Sequence, residues 1–326
     1  MVRVERLGTV ITLGNDFHTA IGHVKLADEL GYESAWITDG VARDAFVVLT
    51  AFAGATSRIT LGTSIVTFYP RHPTVMARQA LSLDEASDGR FVLGIGTGHR
   101  NSMETQLGYQ MGDALAATRE YVNVLREVFT TGKASHHGEF WNVEWSYPLA
   151  RPRDLKIVLA ALNPPLMELS GEIADGVVLW MAPESYVHDV VAPRVAAGRA
   201  RVGKSLDGFD IIAPIPVAIT DDVEAAGAQL RTGIARSGGQ PFYRREYLNA
   251  GFREEVAEMD ELRARGADPA AGVSDRLADA MGKVGSPAEV RACIERFRAA
   301  GANLPVIRPL SESDTERTLR ESISSP

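Results

Sequence analysis

Asp39 ends the run Trp36-Ile37-Thr38-Asp39, a carboxylate just past an apolar stretch. At the end of a buried strand such a group can orient a ligand or move a proton, and it can equally accept bonds from loop amides. A second apolar run ends in Gly94-Ile95-Gly96-Thr97-Gly98. The dinucleotide fingerprint G-x-G-x-x-G fails there, because its third glycine position is His99. Backbone without side chains lets a flat ring or a phosphate come close; a tight structural turn is the alternative. Thr63, Ser64 and Ile65 close a third run, as ligand contacts or as inward-pointing core. Asn163, before Pro164-Pro165, stands where a strand meets a helix. A helix amino-terminus attracts phosphate, although Asn is also a common cap. His136-His137-Gly138-Glu139 lacks metal-ligand spacing and reads as surface. No G-x-S-x-G elbow, H-E-x-x-H helix or C-x-x-C pair occurs, which removes the commonest hydrolase and zinc chemistries.

Arg58 to His99 reads as a strand, a helix opened by Pro73, and a second strand. Two parallel strands joined this way bring their following loops to one end of a sheet, where ligands bind. The same rhythm runs along the chain. Strand signals fall at Leu7–Leu13, Ser34–Thr38, Ile59–Val66, Phe91–Ile95, Leu155–Ala161, Gly176–Trp180, Asp210–Ile219 and Leu304–Ile307, with helical patterns between nearly all. Eight alternations predict an α/β fold, a closed (β/α)₈ TIM barrel, with an open doubly wound sheet as the alternative. A polar loop follows Gly98, a long helix covers about 114–130, and 132–154 is a hairpin-like excursion. Residues 238–282 form a helical insertion between strands seven and eight, with Tyr247, Leu248, Phe252, Val256, Met259 and Leu262 on one face. Packing against the barrel wall is the expected role, and a lid over the open end the other reading.

The 326 residues are 45% apolar, and 34 basic against 42 acidic residues give a net charge of −8. Without a basic block, neither nucleic acid nor an anionic membrane is an expected partner. Met1 to Arg6 lacks a signal-peptide core, so a cytoplasmic location is expected. The single cysteine, Cys293, lies on an apolar helical stripe and reads as core.

Five segments in order carry a family likeness: Ala27 to Asp39, Thr56 to Val66, Phe91 to Gly98, Ser170 to Leu179 and Ser286 to Asn303. With them the chain resembles the bacterial luciferase-like oxidoreductases, in the branch that uses the deazaflavin coenzyme F420. The resemblance implies one barrel domain over 1–326 with the cofactor ring at its carboxyl-terminal mouth. It implies a bulge with a cis peptide behind the ring, at Ser64–Ile65 by position, with Thr63 beside it. Asp39 maps to the family's strand-two aspartate, Thr97 and Gly98 line the cofactor with Asn101 nearby, and Ala160, Ala161 and Asn163 match a phosphate-cradling motif. Asn163 replaces a glycine there, a change that left-handed backbone tolerates. Gly40 stands where relatives often carry histidine, and His99 where they often carry an acid.

The expected activity is hydride transfer between coenzyme F420 and a small organic substrate, with Asp39 and His99 as catalytic candidates and no metal. An FMN-dependent monooxygenase, fed by a partner flavin reductase, is the alternative; a non-catalytic flavin-binding protein is the second. The resemblance also implies a homodimer.

Overall fold

A parallel strand can rejoin its sheet only through a crossover, and here the crossovers are helices. The computed structural model describes residues 6–14, 16–39, 43–148 and 152–323. Its strands β1 (Gly8–Val10), β2 (Ser34–Ile37), β3 (Thr60–Thr63), β4 (Phe91–Gly96), β5 (Lys156–Ala160), β6 (Gly176–Val178), β7 (Asp210–Ile219) and β8 (Leu304–Pro309) match the eight sequence signals. Each pairs in parallel with the next, and β8 pairs with β1. The sheet is a closed barrel. Around it run α1 (Phe17–Leu30), α2 (Ala45–Ala55), α3 (Pro73–Ala86), α4 (Ala114–Thr131), α5 (Pro164–Ile173), α6 (Ala192–Arg201) and α7 (Val223–Gly238).

Strand alternation divides the apolar residues between two cores. Val10, Trp36, Val158, Val178, Ile212, Leu304 and Val306 fill the lumen. Their odd-numbered or even-numbered neighbours, such as Ile11, Ile37, Leu159, Val177 and Ile307, pack outward under the helices. The Trp36 indole lies where a side chain at Gly62 would stand, and its Nε1 donates to Ser34 Oγ at 2.8 Å. Cys293 is buried, and burial pushes its thiol up to about 12, so it is inert core as its sequence setting suggests.

The third strand departs from the simple pattern. Gly62 pairs with Val92, and pairing resumes at Val66 with Ile95, so four steps on one strand meet three on the other. The extra residue forms a bulge, a device found beside active sites. Ser64–Ile65 in it is a cis peptide. The bulge has replacement partners: Ser64 N–H donates to the Ile37 carbonyl at 2.7 Å, and the Ile65 carbonyl accepts from Asp39 N–H at 3.2 Å. Thr63 Oγ1 donates to the Gly94 carbonyl and accepts from the Gly94 amide, at 2.7 and 2.8 Å. Position 94 must be glycine, since a Cβ would sit 1.8 Å from the Thr63 carbonyl oxygen.

One expectation changes and another gains detail. The polar stretch after Gly98 folds into a π-helical turn over Asn101–Gln106. The insertion is α8 (Pro241–Asn249), α9 (Arg253–Ala264) and α10 (Asp275–Met281), broken at Gly251, where φ is +85°. Its buried Tyr243, Tyr247, Phe252, Val256 and Met259 form a separate cluster with Met181, packed by Leu162, Trp180 and Leu310. Those last four follow the carboxyl ends of β5, β6 and β8. The insertion therefore packs on two surfaces: its apolar residues share their cluster with Leu230, Ile234 and Ala235 of the wall helix α7, and the same cluster reaches the strand ends at the mouth as a cap. Beyond it come α11 (Pro287–Ala299), with a Ser286–Glu289 capping box, and α12 (Thr315–Ser322).

Thr63→Val leaves the Gly94 amide without its acceptor inside the bulge. It should cost about 1–3 kcal/mol, while Thr63→Ser, which keeps the hydroxyl, should cost about 1 kcal/mol. Urea-unfolding midpoints measured side by side would test the ordering.

Candidate active site

One step above the lumen core, alternation brings a new ring of positions to the mouth. Exposed Thr12 and Thr38 stand past β1 and β2, and half-buried Ile65 and Ala160 at β3 and β5. Gly96 contributes no side chain, and a Cβ there would be 3.0 Å from Ile65 Cδ1. Gly98 has φ +71°, and a Cβ would come within 2.9 Å of Thr67 Cγ2. Thr97 turns its hydroxyl to the Gly98 carbonyl at 3.1 Å. The bulge and the glycine turn are thus adjacent, and the two glycines leave room for Ile65, Thr67 and Met103 to pack close beside them. Beneath them Ser64 Oγ is buried without a hydrogen-bond partner. A glycine-lined seat above an orphaned hydroxyl suits a flat heteroaromatic ring with polar edges.

Asp39 is tied down. Its Oδ2 accepts from Arg71 Nη1 at 3.0 Å and its Oδ1 from the Ala45 amide at 3.1 Å. Arg71 Nη2 reaches Asp44 at 2.9 Å, and the Arg71 carbonyl accepts from Tyr121 Oη at 2.8 Å. Burial opposes the Arg71 charge, but Asp39 and Asp44 outweigh it and raise its pKa. This cluster ties Asp39, just past β2, to the start of α2 and to the segment after β3. Gly40, where the family's histidine would stand, lies outside the described residues.

His99 is held differently. Its ring centre lies 5.8 Å from that of Tyr243 and 6.5 Å from that of Phe242, both on α8. Burial lowers its pKa, which keeps the imidazole neutral near pH 7. Neither ring nitrogen has a hydrogen-bond partner among the described residues. The cap thus brings aromatic cover to the one imidazole beside the glycine turn.

The remaining sequence candidates divide. Asn101 is exposed on the π-helical turn. Ala160 faces the mouth, but the Ala161 side chain is buried in the outer core, leaving only its backbone near the site. Thr63 is buried and fully engaged with Gly94. Asn163 caps α5, accepting from the Leu166 amide at 3.1 Å, with φ −144°. Two corrections follow. Its backbone is extended, so no left-handed conformation is involved. The α5 amino-terminus also has no spare amide in its first three positions: Pro164 and Pro165 lack N–H groups, and Asn163 takes the third.

Sequence reasoning missed four side chains at the mouth: Arg71, Trp180, Tyr243 and Arg308. Arg308 had a visible signal, a lone charge in the apolar run Leu304 to Pro309. Arg71 and Tyr243 had none, since their partners are far away in the chain. At the opposite end of the barrel, a cavity is lined by Arg6, Glu33, Lys156 and Asp210. Arg6 pairs with Glu33 and with Asp210, each at 2.6 Å, so that end reads as stabilising.

The chain matches a family model described as luciferase-like monooxygenase over residues 3–304. A Mycobacterium tuberculosis protein named as a candidate coenzyme F420-dependent oxidoreductase is 31% identical over 316 residues, covering 87% of this chain and 88% of its own. A 5,10-methylenetetrahydromethanopterin reductase of Archaeoglobus fulgidus is 32% identical over 216 residues, 65% of this chain and 64% of its own. Among solved structures, the coenzyme F420-dependent tetrahydromethanopterin reductase of Methanopyrus kandleri superposes with a TM-score of 0.82 at 24% identity, covering 98% of both chains.

His99 should titrate below the ordinary histidine value of about 6.5, and Tyr243→Ala should move it back toward that value. The unfolded chain takes up this proton before the native one does. Stability should therefore fall as pH drops through about 6.5 and level off below the native pKa. Imidazole NMR signals, assigned by their loss in His99→Gln, would follow the titration.

Proposed function

The chain belongs to the luciferase-like monooxygenase family, and from that membership and the geometry of the mouth we propose that it transfers a hydride between coenzyme F420 and a small organic substrate. The observation that carries this reading is the seat formed by the Ser64–Ile65 bulge beside Gly96 and Gly98. The preference for the deazaflavin over FMN rests on the names of its relatives. When bound, coenzyme F420 supplies the ring carbon that gives or accepts the hydride. The chain supplies the rest.

Ile65, Gly96 and Gly98 would support one face of the ring, and Ser64 Oγ would give a polar edge the hydrogen bond it lacks in the protein. Asp39 is engaged through both oxygens, so it ties the end of β2 to Arg71 and to the start of α2 at Ala45. The proton falls to His99. A neutral imidazole has a lone pair that can take a proton from a hydroxyl being oxidised, and the imidazolium so formed is the acid that would return it to a carbonyl being reduced. Phe242 and Tyr243 orient it and keep water away.

The test is a pair of fluorescence titrations of the purified protein, with coenzyme F420 and with FMN. Tighter binding of the deazaflavin supports the proposal. Tighter binding of FMN would replace it with the oxygen-consuming monooxygenase reading, and binding of neither would remove the cofactor assignment. In a turnover assay, His99→Gln should lower kcat about 10²-fold or more with little change in cofactor affinity. Asp39→Asn should instead weaken cofactor binding and lower Tm. The reverse pattern would exchange the two roles.

A further inference from the structure

Arg308 is the single charged residue of β8, in the run Leu304-Pro305-Val306-Ile307-Arg308-Pro309. Leu304 and Val306 belong to the lumen core and Ile307 to the outer core, so alternation turns Arg308 inward at the top of the barrel. Its guanidinium carbon lies 5.1 Å from the ring centre of Trp180, which follows β6 on the same inward register as Val178. The Pro216 of β7 is its neighbour in the sheet.

What this arginine lacks sets it apart. Arg71 has two carboxylates, Arg90 bonds Thr56 and the carbonyls of Ile59 and Ala53, and Arg6 bridges Glu33 and Asp210. Arg308 makes no hydrogen bond or ion pair with any described residue, and no carboxylate offsets the burial that lowers its pKa. A guanidinium withdrawn from water without an acceptor is costly. An indole face repays only part of that cost and holds the fork flat, ready for two parallel N–H bonds to one anion.

Its position in the ring of strands says whose anion. In the order β1 to β8, β8 is diametrically opposite β4, whose end carries Gly96. The cofactor seat lies along β3 and β4, and Arg308 faces it across the mouth. We propose that Arg308, braced by Trp180, binds an oxyanion of the substrate, so that the molecules oxidised or reduced here carry a carboxylate or a phosphate. This rests on the cofactor seat argued above, but its chemistry can be examined without the cofactor.

The experiment compares the wild-type chain with Arg308→Met and Arg308→Lys in calorimetric titrations with acetate and with inorganic phosphate at fixed ionic strength. Wild type should saturate with one of the two, and whichever binds names the anion. Arg308→Met should bind it about tenfold or more weakly, and Arg308→Lys should fall between. Arg308→Met should keep or raise Tm, because it removes an unpaired buried charge; a structural arginine would lower it. Coenzyme F420 affinity, measured on the same variants, should stay within about twofold. Unchanged anion binding in Arg308→Met would overturn the proposal. A tenfold loss of coenzyme affinity would also overturn it, assigning the guanidinium to the cofactor's own phosphate or carboxylates. If the protein binds no coenzyme F420 yet keeps an Arg308-dependent anion site, the cofactor reading fails and the anion site stands. With turnover in hand, acids should outperform their methyl esters in wild type, and that preference should vanish in Arg308→Met.

Discussion

Between Gly62 and Val66 the third strand carries one residue more than its neighbour, and the mouth of the barrel is shaped by how that excess is absorbed. A bulge breaks ladder bonds, and buried amides and carbonyls must find new partners. Here the hydroxyl of Thr63 serves Gly94 twice, while Ile37 and Asp39 take up the backbone of Ser64 and Ile65. Thr38 adds a side-chain bond to the Ser64 carbonyl at 3.0 Å. Every partner comes from β2, β4 or the residues just past them. The bulge thus joins the three strands that carry the seat, and it demands glycine at 94 and a vacant side-chain position at 96. Local shape and sequence constraint are the same fact.

Three ionisable side chains stand around that seat, each in a different electrostatic state. Asp39 is compensated by a guanidinium and an amide, so it contributes geometry more than reactivity. His99 is covered by aromatic rings and held neutral, which leaves a lone pair available. Arg308 is charged and uncompensated. A site with one neutral proton carrier and one unpaired positive fork, separated by a flat seat, is arranged to hold a polar molecule at two points with a ring between them. Orientation of this kind is the main contribution a protein makes when a cofactor carries the redox chemistry.

The barrel was legible because its signals are local. Each strand from β1 to β8 is an apolar, often β-branched run, and most helix starts are marked by Asp, Asn, Ser or Pro, as at Asp44, Asn163 and Ser286. The family segments carried the bulge and the glycine turn with them. What stayed hidden was the pairing of distant residues. Asp39 meets Arg71 across 32 positions, and His99 meets Tyr243 across a gap more than four times longer; no periodicity encodes either contact. The packing of the insertion stayed open for a related reason. An apolar helical face shows that it is buried but not against what, and Gly251 divides what reads as one helix into two. Arg308 was the one mouth residue whose oddity lay in plain view, a charge in a strand otherwise fit only for a core.

The cap ties these features together, and its own packing shows how firmly it is held. It shares its buried cluster with Leu230, Ile234 and Ala235 of α7, and touches the strand ends through Leu162, Trp180, Met181 and Leu310. Trp180 is thus shared: one part packs under the cap while its ring backs Arg308. Within that core sits Glu246, buried, with Oε2 lacking a partner, and burial raises its pKa well above the ordinary value. The native cap keeps this carboxyl protonated, while the unfolded chain releases the proton near pH 4.5. Holding that proton therefore costs more as pH rises toward neutrality, and the cost falls on α8, the helix that carries Phe242 and Tyr243. The helix that covers His99 therefore also carries a buried carboxyl whose cost to the fold grows with pH.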